Sequence, residues 1–262
     1  MWAMKTQTNE PQINESKTGR STVPKINKPS KLPYPLNFYS TSIGKKWVMA
    51  ITGIMLMGFV FFHMLGNLKV FLSPEAINHY GEWLREILVP ILPHSVALWI
   101  MRIGLIFGFG FHIHSAYSLT LINKKANGTK YQSPQDYVAA NFASRTMRYT
   151  GIIIGLFILW HLADLTWGWA VANPEFIRGD IAHNLNESLT RLPVFGIYVA
   201  ANIALGLHLY HGGWSLFQSL GINNPKLNYL RKGFAASFAF IVTVGNILIV
   251  SALYFGLFEG KL

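Results

Sequence analysis

The sequence predicts an all-α integral membrane protein, a bundle of five transmembrane helices. Hydrophobic residues make up 51% of the 262 residues and charged residues only 13%, a composition typical of chains embedded in lipid. The apolar residues form five stretches, each long enough for the roughly 20 residues that cross a bilayer core. These stretches are 46–72, 97–122, 147–170, 193–219 and 233–258. Pro74, Pro93, Pro174, Pro193 and Pro225 lie between the stretches or at an end, where a missing backbone donor is harmless.

The first 44 residues differ from the rest of the chain. They are rich in Ser, Thr, Pro, Asn and Lys and contain no apolar run long enough for a signal-peptide core. We therefore expect residues 1–44 to be a cytoplasmic, largely disordered segment that stays attached. Residues 45–262 then form one membrane-anchor domain.

The basic residues between the stretches predict the orientation of the bundle. The N-terminal segment, the second connection and the fourth connection carry sixteen Lys and Arg residues, whereas the first and third connections carry only Arg85, Arg178 and Arg191. Basic residues near helix ends are retained on the cytoplasmic side. The N-terminus is therefore expected inside and the C-terminus outside. No internal repeat is evident, which disfavours an inverted-repeat transporter.

Two features of the composition exclude whole classes of function. The chain has no cysteine, so disulfides, thiolate catalysis, cysteine-ligated zinc and iron-sulfur clusters are excluded. The net charge of +11 does not indicate nucleic-acid binding, because the basic residues separate apolar stretches and do not interleave with aromatic residues on one surface.

Histidines are unusually frequent within the predicted spans. Six of the nine lie there, namely His63, His112, His114, His161, His208 and His211. Polar side chains in hydrocarbon are costly and usually face the bundle interior for a functional reason. Zinc is a poor explanation, because the histidines come singly from separate helices without an acidic or cysteine partner. A haem held by two imidazoles from facing helices needs no further ligand, so four such helices predict two haems.

Depth in the membrane predicts how the histidines pair. At about 1.5 Å per residue, His63 and His161 fall towards the outside and His112 and His208 towards the cytoplasm. His114 lies about 200° around the helix from His112, so only one of the two can face a haem, and His211 is placed to contact a propionate. Small residues near the candidate ligands either leave space for the flat haem macrocycle or allow neighbouring helices to pack closely. They are Gly108, Ala116, Ala201, Ala204 and Gly212.

Several motifs carry a family resemblance over residues 42–258. They are Thr52-Gly53 with Gly58 to His63 and Gly66-Asn67-Leu68; His112 with Leu119-Thr120 and Asn123 to Lys125; Arg148 to Gly151 with Trp160-His161; and His208 with Gly212, Trp214 and Phe217-Gln218. With these motifs the chain resembles the five-helix, dihaem cytochrome b membrane subunit of bacterial succinate dehydrogenases and fumarate reductases. The resemblance implies two haem b groups, with His63 and His161 as axial iron ligands of one and His112 and His208 as those of the other. His114 and His211 remain alternative ligands.

The resemblance also implies partners and an electron path. A flavoprotein subunit oxidises succinate, an iron-sulfur subunit passes the electrons on, and this chain carries them through the inner and then the outer haem to a membrane quinone, which we expect to be menaquinone. No quinone motif is carried over. The candidates near the outer haem are Glu75, Glu82, Asp164 and Arg178, all of which we expect to be solvated loop residues.

Three alternatives from other classes remain. The first is a haem-bearing membrane subunit of another quinone-linked complex, such as a formate dehydrogenase or hydrogenase. The second is a histidine-lined proton channel or transporter, which would need acidic partners that the spans lack apart from Asp164. The third is a membrane anchor without haem.

Overall fold

The predicted all-α fold with five membrane-spanning helices is confirmed. The computed structural model describes residues 33–126, 140–222 and 224–256, and within these ranges it contains no strand. Five helices are long and apolar enough to cross a membrane. They are α2 (Ser42–Asn67), α4 (Val96–Ala126), α5 (Ala140–Leu162), α7 (Leu192–Ser219) and α8 (Asn228–Tyr254). Shorter helices complete the fold, namely α1 (Leu36–Ser40), α3 (Pro74–Glu86) and α6 (Ile181–Leu189).

The first span begins earlier than its hydropathy indicates. The hydroxyl of Thr41 accepts a hydrogen bond from the backbone N–H of Gly44 (2.9 Å), which caps α2 at its first turn. Residues 33–44, expected to belong to a disordered segment, thus contain α1 and the start of α2. The expectation for residues 1–32 lies outside the described residues.

The spans form two helix pairs, α2 with α4 and α5 with α7, and α8 packs against both α7 and α2. Within their most apolar stretches, 33% of α7 and α8 is buried inside the protein, compared with 11% of α2 and α4. Helices α7 and α8 are therefore central, and the remaining apolar surface faces outward, as in a bundle solvated by lipid.

Helices α3 and α6 pack together at one end of the bundle, here called the capped end. The side-chain oxygen of Asn78 in α3 accepts hydrogen bonds from the backbone N–H groups of Ile181 (2.7 Å) and Ala182 (3.0 Å) in the first turn of α6. The Asn78 amide also donates to Asp180 (3.0 Å), whose carboxylate caps α6 by accepting from His183 N–H (3.0 Å). Asn78 thus satisfies helix-terminal donors that would otherwise lack partners.

A π-helical turn, Ala163–Trp167, extends α5 into the capped end. It ends at Gly168, where φ is +63° and where a Cβ would lie 2.1 Å from the ring of Phe176. Only glycine combines this backbone conformation with so close an approach. The turn directs the chain back across the capped end towards α6.

Charge is distributed unevenly between the two ends of the bundle. Every Asp and Glu in the described residues lies at the capped end: Glu75, Glu82, Glu86, Asp164, Glu175, Asp180 and Glu187. The opposite end, here called the basic end, carries a set of lysines, namely Lys45, Lys46, Lys124, Lys125, Lys226 and Lys232. This asymmetry is the one from which the orientation is predicted.

Candidate functional site

The fold brings four of the intramembrane histidines together as two pairs. The ring centroids of His63 on α2 and His161 on α5 are 5.8 Å apart, and those of His112 on α4 and His208 on α7 are 6.4 Å apart. Each pair joins two different helices, in the combination that depth in the membrane predicts. We call His63 and His161 the outer pair, and His112 and His208 the inner pair.

His112 is held by the first turns of α2. Its Nδ1 lies 3.1 Å from the carbonyl oxygen of Met49 and 3.3 Å from the hydroxyl of Thr52. That hydroxyl donates to the Val48 carbonyl (2.7 Å), so its oxygen is free to accept. A Cβ on Gly53 would lie 3.5 Å from the His112 ring, so the imidazole packs directly against the backbone of α2.

His208 is held in the same way by α5. Its Nδ1 lies 3.3 Å from the hydroxyl of Thr150, which donates to the carbonyl of Thr146 (3.0 Å). A Cβ on Gly151 would lie 3.6 Å from the His208 ring. The Thr-Gly pair of each helix therefore supports a histidine from the neighbouring helix.

These matching contacts reveal a repeat that the sequence analysis missed. Helices α2 and α5 share the pattern Met-x-x-Thr-Gly-Ile, with His ten residues after the glycine; it runs over 49–63 and 147–161. Only six of the 15 positions in the two segments are identical, which is too few to notice before the contacts single out Thr52, Gly53 and their counterparts. Helices α2 and α5 therefore support the inner histidines of α4 and α7 through equivalent residues.

The outer pair lies among aromatic side chains. The ring of Phe59 stacks on His63 at a centroid distance of 5.4 Å, and Phe157, its counterpart in the repeat, lies 5.7 Å from His161. Nδ1 of His161 lies 3.1 Å from the hydroxyl of Tyr198 on α7. That hydroxyl in turn donates to Asp164 (2.9 Å).

We assign the same tautomer to three of the four histidines from these hydrogen bonds. A carbonyl oxygen can only accept, so Nδ1 of His112 carries the proton. The hydroxyls of Thr150 and Tyr198 already donate to other groups, so their oxygens accept from Nδ1 of His208 and His161. In all three imidazoles Nε2 is left with its lone pair free, as in metal-ligating histidines whose other nitrogen is hydrogen-bonded.

The ring separations fit two imidazoles on one metal atom. Metal–imidazole bonds are about 2.0 Å long and the nitrogen lies about 1.1 Å from the ring centre, so opposed ligands have ring centres about 6.2 Å apart. The observed 5.8 and 6.4 Å bracket this value. No group of three or more His, Asp or Glu residues that could hold a metal ion by themselves occurs in the described part of the chain. Each pair could supply two imidazole ligands to a metal whose remaining ligands come with it, as in haem.

Buried nitrogen atoms without hydrogen-bond partners lie near the candidate ligands along the chain. In the described residues they include Trp160 Nε1, His211 Nδ1 and Trp214 Nε1. Trp160 precedes His161, and the other two follow His208 within two helical turns. The ammonium of Lys232 lies 5.6 Å from the Trp214 ring. Unsatisfied buried donors are costly, and the propionates of a haem would satisfy such groups.

The structure separates His112 from its neighbour His114. The Tyr39 hydroxyl lies 2.5 Å from Nδ1 of His114, on the side of α4 that faces α1. His114 approaches neither histidine pair. His211 lies beside Tyr210, with ring centroids 5.1 Å apart, and no ring contact joins it to His112 in the described residues.

Three of the five small residues noted near the ligands lie in contacts between helices. A Cβ on Gly108 would lie 1.7 Å from the Met55 side chain, so Gly108 serves the packing of α4 on α2. Ala201 and Ala204 are likewise buried between helices. The glycines that lie against imidazoles are instead Gly53 and Gly151.

One expectation about the acidic residues is wrong. Asp164, expected in a solvated loop, is 0% exposed, because the π-helical turn carries it inward. Its Oδ2 accepts from Ser188 (2.5 Å) and Tyr198, and its Oδ1 lies 3.4 Å from the Arg191 guanidinium. Glu75, Glu82 and Arg178 are exposed as expected, but Glu75 and Glu82 lie on helix α3 and not in a loop. The guanidinium of Arg85, 2.7 Å from Glu82, lowers the pKa of that carboxyl.

A shallow cavity of about 330 Å³, open to the surface, lies at the capped end, lined by Lys69, Ala76, His79, Tyr80 and Trp83. The Tyr80 ring lies against Gly66, where a Cβ would be 2.5 Å away. Gly66 follows His63 by three residues, so the cavity adjoins α2 less than one helical turn beyond the outer pair.

Searches against protein-family models, curated proteins and solved structures found no match to this chain. The fold and the histidine pairs define its class as a five-helix membrane protein with two opposed intramembrane histidine pairs.

Proposed function

We propose that the chain is the membrane-anchoring dihaem cytochrome b subunit of a bacterial succinate:quinone oxidoreductase. The observation that supports this most is the hydrogen bond at Nδ1 of His112, His161 and His208, which leaves Nε2 of each ring for a metal, in pairs whose ring spacing suits a bound metal. Haem iron held by two imidazoles supplies one-electron transfer when bound.

The residues of this chain have distinct tasks in that function. The inner pair would hold one haem near the basic end and the outer pair a second near the capped end. Thr52 and Thr150 keep the inner imidazoles oriented, and the apolar helices keep water away. The resemblance of the histidine motifs to the succinate dehydrogenase family supports a flavoprotein and an iron-sulfur subunit as partners. The lysines of the basic end suit their docking from the cytoplasm.

The capped-end cavity suits the quinone, which we propose to be menaquinone. The overall reaction is balanced when succinate loses two electrons and two protons to become fumarate and the quinone gains two of each to become a quinol. His79 and Tyr80 in the cavity lining carry groups able to hydrogen-bond quinone oxygens. Trp83 presents an aromatic surface to the ring.

The decisive experiment is a haem count on the complex purified with its partners. A pyridine haemochrome assay is expected to give two haem b per chain, bound non-covalently because there is no cysteine for attachment. Succinate should then reduce both haems, and a menaquinone analogue should reoxidise them. A count of zero or one would contradict the dihaem proposal. Two haems that succinate does not reduce would instead favour the membrane subunit of another quinone-linked complex.

A further inference from the structure

The outer pair, unlike the inner pair, is joined through hydrogen bonds to a buried carboxylate. Within the described residues, Asp164 is the only fully buried carboxylate. It lies three residues after His161, on the π-helical turn that directly follows α5. Local π-helical turns frequently mark functional positions in helices. The Tyr198 hydroxyl joins this carboxylate to the imidazole.

We infer that Asp164, acting through the Tyr198 hydroxyl, is a positioning residue that makes His161 a stronger electron donor to the outer haem than the inner ligands are to theirs. This inference rests on the proposed function, because it assigns His161 to a metal. The dihaem proposal by itself involves neither Asp164 nor a change in the reduction potential of one haem.

The direction follows from the hydrogen bonds. Nδ1–H of His161 donates to the Tyr198 oxygen, and the Tyr198 hydroxyl donates to Asp164 Oδ2. A negative carboxylate polarises the hydroxyl, which then accepts more strongly from the imidazole. Hydrogen bonding of this kind raises the basicity of a ligating histidine. A more basic ligand stabilises ferric over ferrous iron and lowers the reduction potential.

In the described residues, no hydrogen bond joins the inner pair to a carboxylate. Nδ1 of His112 faces a backbone carbonyl, and the hydroxyl next to His208 donates to backbone carbonyls of its own helix. Both partners are neutral. The effect of Asp164 should therefore appear at the outer haem alone, which makes the inner haem an internal control.

Asp164 also has a structural task, which the test must separate from the effect on His161. Its Oδ1 faces Arg191, and that guanidinium also donates to the Ala172 carbonyl (2.6 Å). Arg191 balances the buried charge, and removing one member of such a pair is destabilising. Oδ2 faces Ser188 and Tyr198, so Tyr198 can be changed while the Arg191 and Ser188 contacts remain.

The experiment is a redox titration of each haem in the purified complex, followed optically, for Asp164→Asn, Tyr198→Phe and the double variant. Each single variant should keep both haems and raise the reduction potential of the outer haem by about 59 mV, which is about a tenfold change in the reduction equilibrium for one electron. The double variant should shift this potential no further than Tyr198→Phe does, because Asp164 acts through the Tyr198 hydroxyl.

Ser188→Ala is the matched control. It removes a different hydrogen bond to the same oxygen, so the carboxylate accepts more strongly from Tyr198 and the outer potential should stay unchanged or fall. An upward shift as large as that of Asp164→Asn would show that any disturbance of the carboxylate has this effect, and would overturn the inference.

The remaining outcomes are also distinguishable. The inference would be overturned if Tyr198→Phe keeps both haems and leaves the reduction potential of the outer haem unchanged. Additive shifts in the double variant would also overturn it. Either outcome would leave the dihaem proposal intact. A complex without haem before any substitution would overturn both. If Asp164→Asn fails to assemble, Tyr198→Phe decides alone, because it keeps Asp164 paired with Ser188 and Arg191.

Discussion

The Tyr39 hydroxyl lies 2.5 Å from Nδ1 of His114, joining α1 to α4 at the basic end of the bundle. The same hydroxyl lies 3.1 Å from Ser115, and the Lys45 ammonium lies 5.3 Å from the Tyr39 ring. His114 is thus engaged by the segment that precedes the first span. His112, two residues earlier on the opposite side of α4, is left to face His208.

This arrangement predicts different consequences for the two histidines of α4. His112→Ala should remove one haem and block electron transfer from succinate to quinone, because an axial ligand is lost. Oxidation of succinate by a soluble artificial acceptor should survive if the complex assembles. His114→Ala should keep both haems, because it removes only the contact with Tyr39. Haem counts on the two variants check this; loss of a haem in His114→Ala with both retained in His112→Ala would reverse the ligand assignment.

The close approach of Gly151 to His208 gives a second prediction. Alanine at this position adds a methyl group at an ordinary contact distance of 3.6 Å from the ring, so Gly151→Ala should retain both haems. Gly151→Leu should displace the imidazole and lose the inner haem, because packed interiors have no space for the larger side chain. A Cβ on Gly110, an exposed position of α4 about 200° around the helix from His112, would meet nothing within 4 Å. Gly110→Leu is therefore the matched control, and a haem loss equal to that of Gly151→Leu would contradict the steric explanation.

The charge asymmetry predicts the orientation of the chain. The excess of Lys and Arg residues in the N-terminal segment and in the second and fourth connections leads us to expect the N-terminus and the basic end in the cytoplasm and the capped end outside. Reporter fusions placed after Leu262 should be active only outside the cytoplasm. A fusion placed in the segment 127–139 between α4 and α5 should show the opposite behaviour. Cytoplasmic activity of the Leu262 fusion would contradict the proposed topology.

The capped end should depend on Asn78 for its stability. Asn78→Ala removes three hydrogen bonds at the start of α6 and should destabilise this end by about 1–3 kcal/mol. Hydrogen exchange of the α6 amides should rise in this variant. Glu75→Ala at an exposed position of the same helix is the control and should leave α6 protected. Equal exchange in both variants would show that Asn78 does not hold the two helices together.

The same contacts predict how this end responds to acid. The backbone N–H of His183 and the Asn78 amide hold the pKa of the Asp180 carboxyl below its usual value of 3.8. Because the unfolded carboxyl binds protons more readily than the folded one, this stabilisation is fully present above a pH of about 4 and is lost as the pH falls through the lowered pKa. The protection factors of the α6 amides, in which the intrinsic pH dependence of hydrogen exchange is divided out, should therefore fall below that pH in the intact protein, and Asp180→Asn should reduce the fall.

Much of this arrangement is predictable from the sequence by itself. The number of spans follows from the length and hydropathy of each apolar stretch, because a bilayer sets the length of a helix independently of its neighbours. The depth of each histidine follows from counting residues along a helix of known rise. These two facts suffice to expect His63 near His161 and His112 near His208, and the structure places them so.

Only the tertiary structure decided which side of each helix meets a partner. The rotation of α4 that turns His112 towards His208 and His114 towards Tyr39 is set by packing between helices far apart in sequence. Asp164 looks like a loop residue in the sequence, yet a π-helical turn brings it to Tyr198 and Ser188 from another part of the chain. Hydropathy depends on local composition, whereas hydrogen-bond partners depend on which helices meet, and for that reason the partners of His161 appear only in the folded chain.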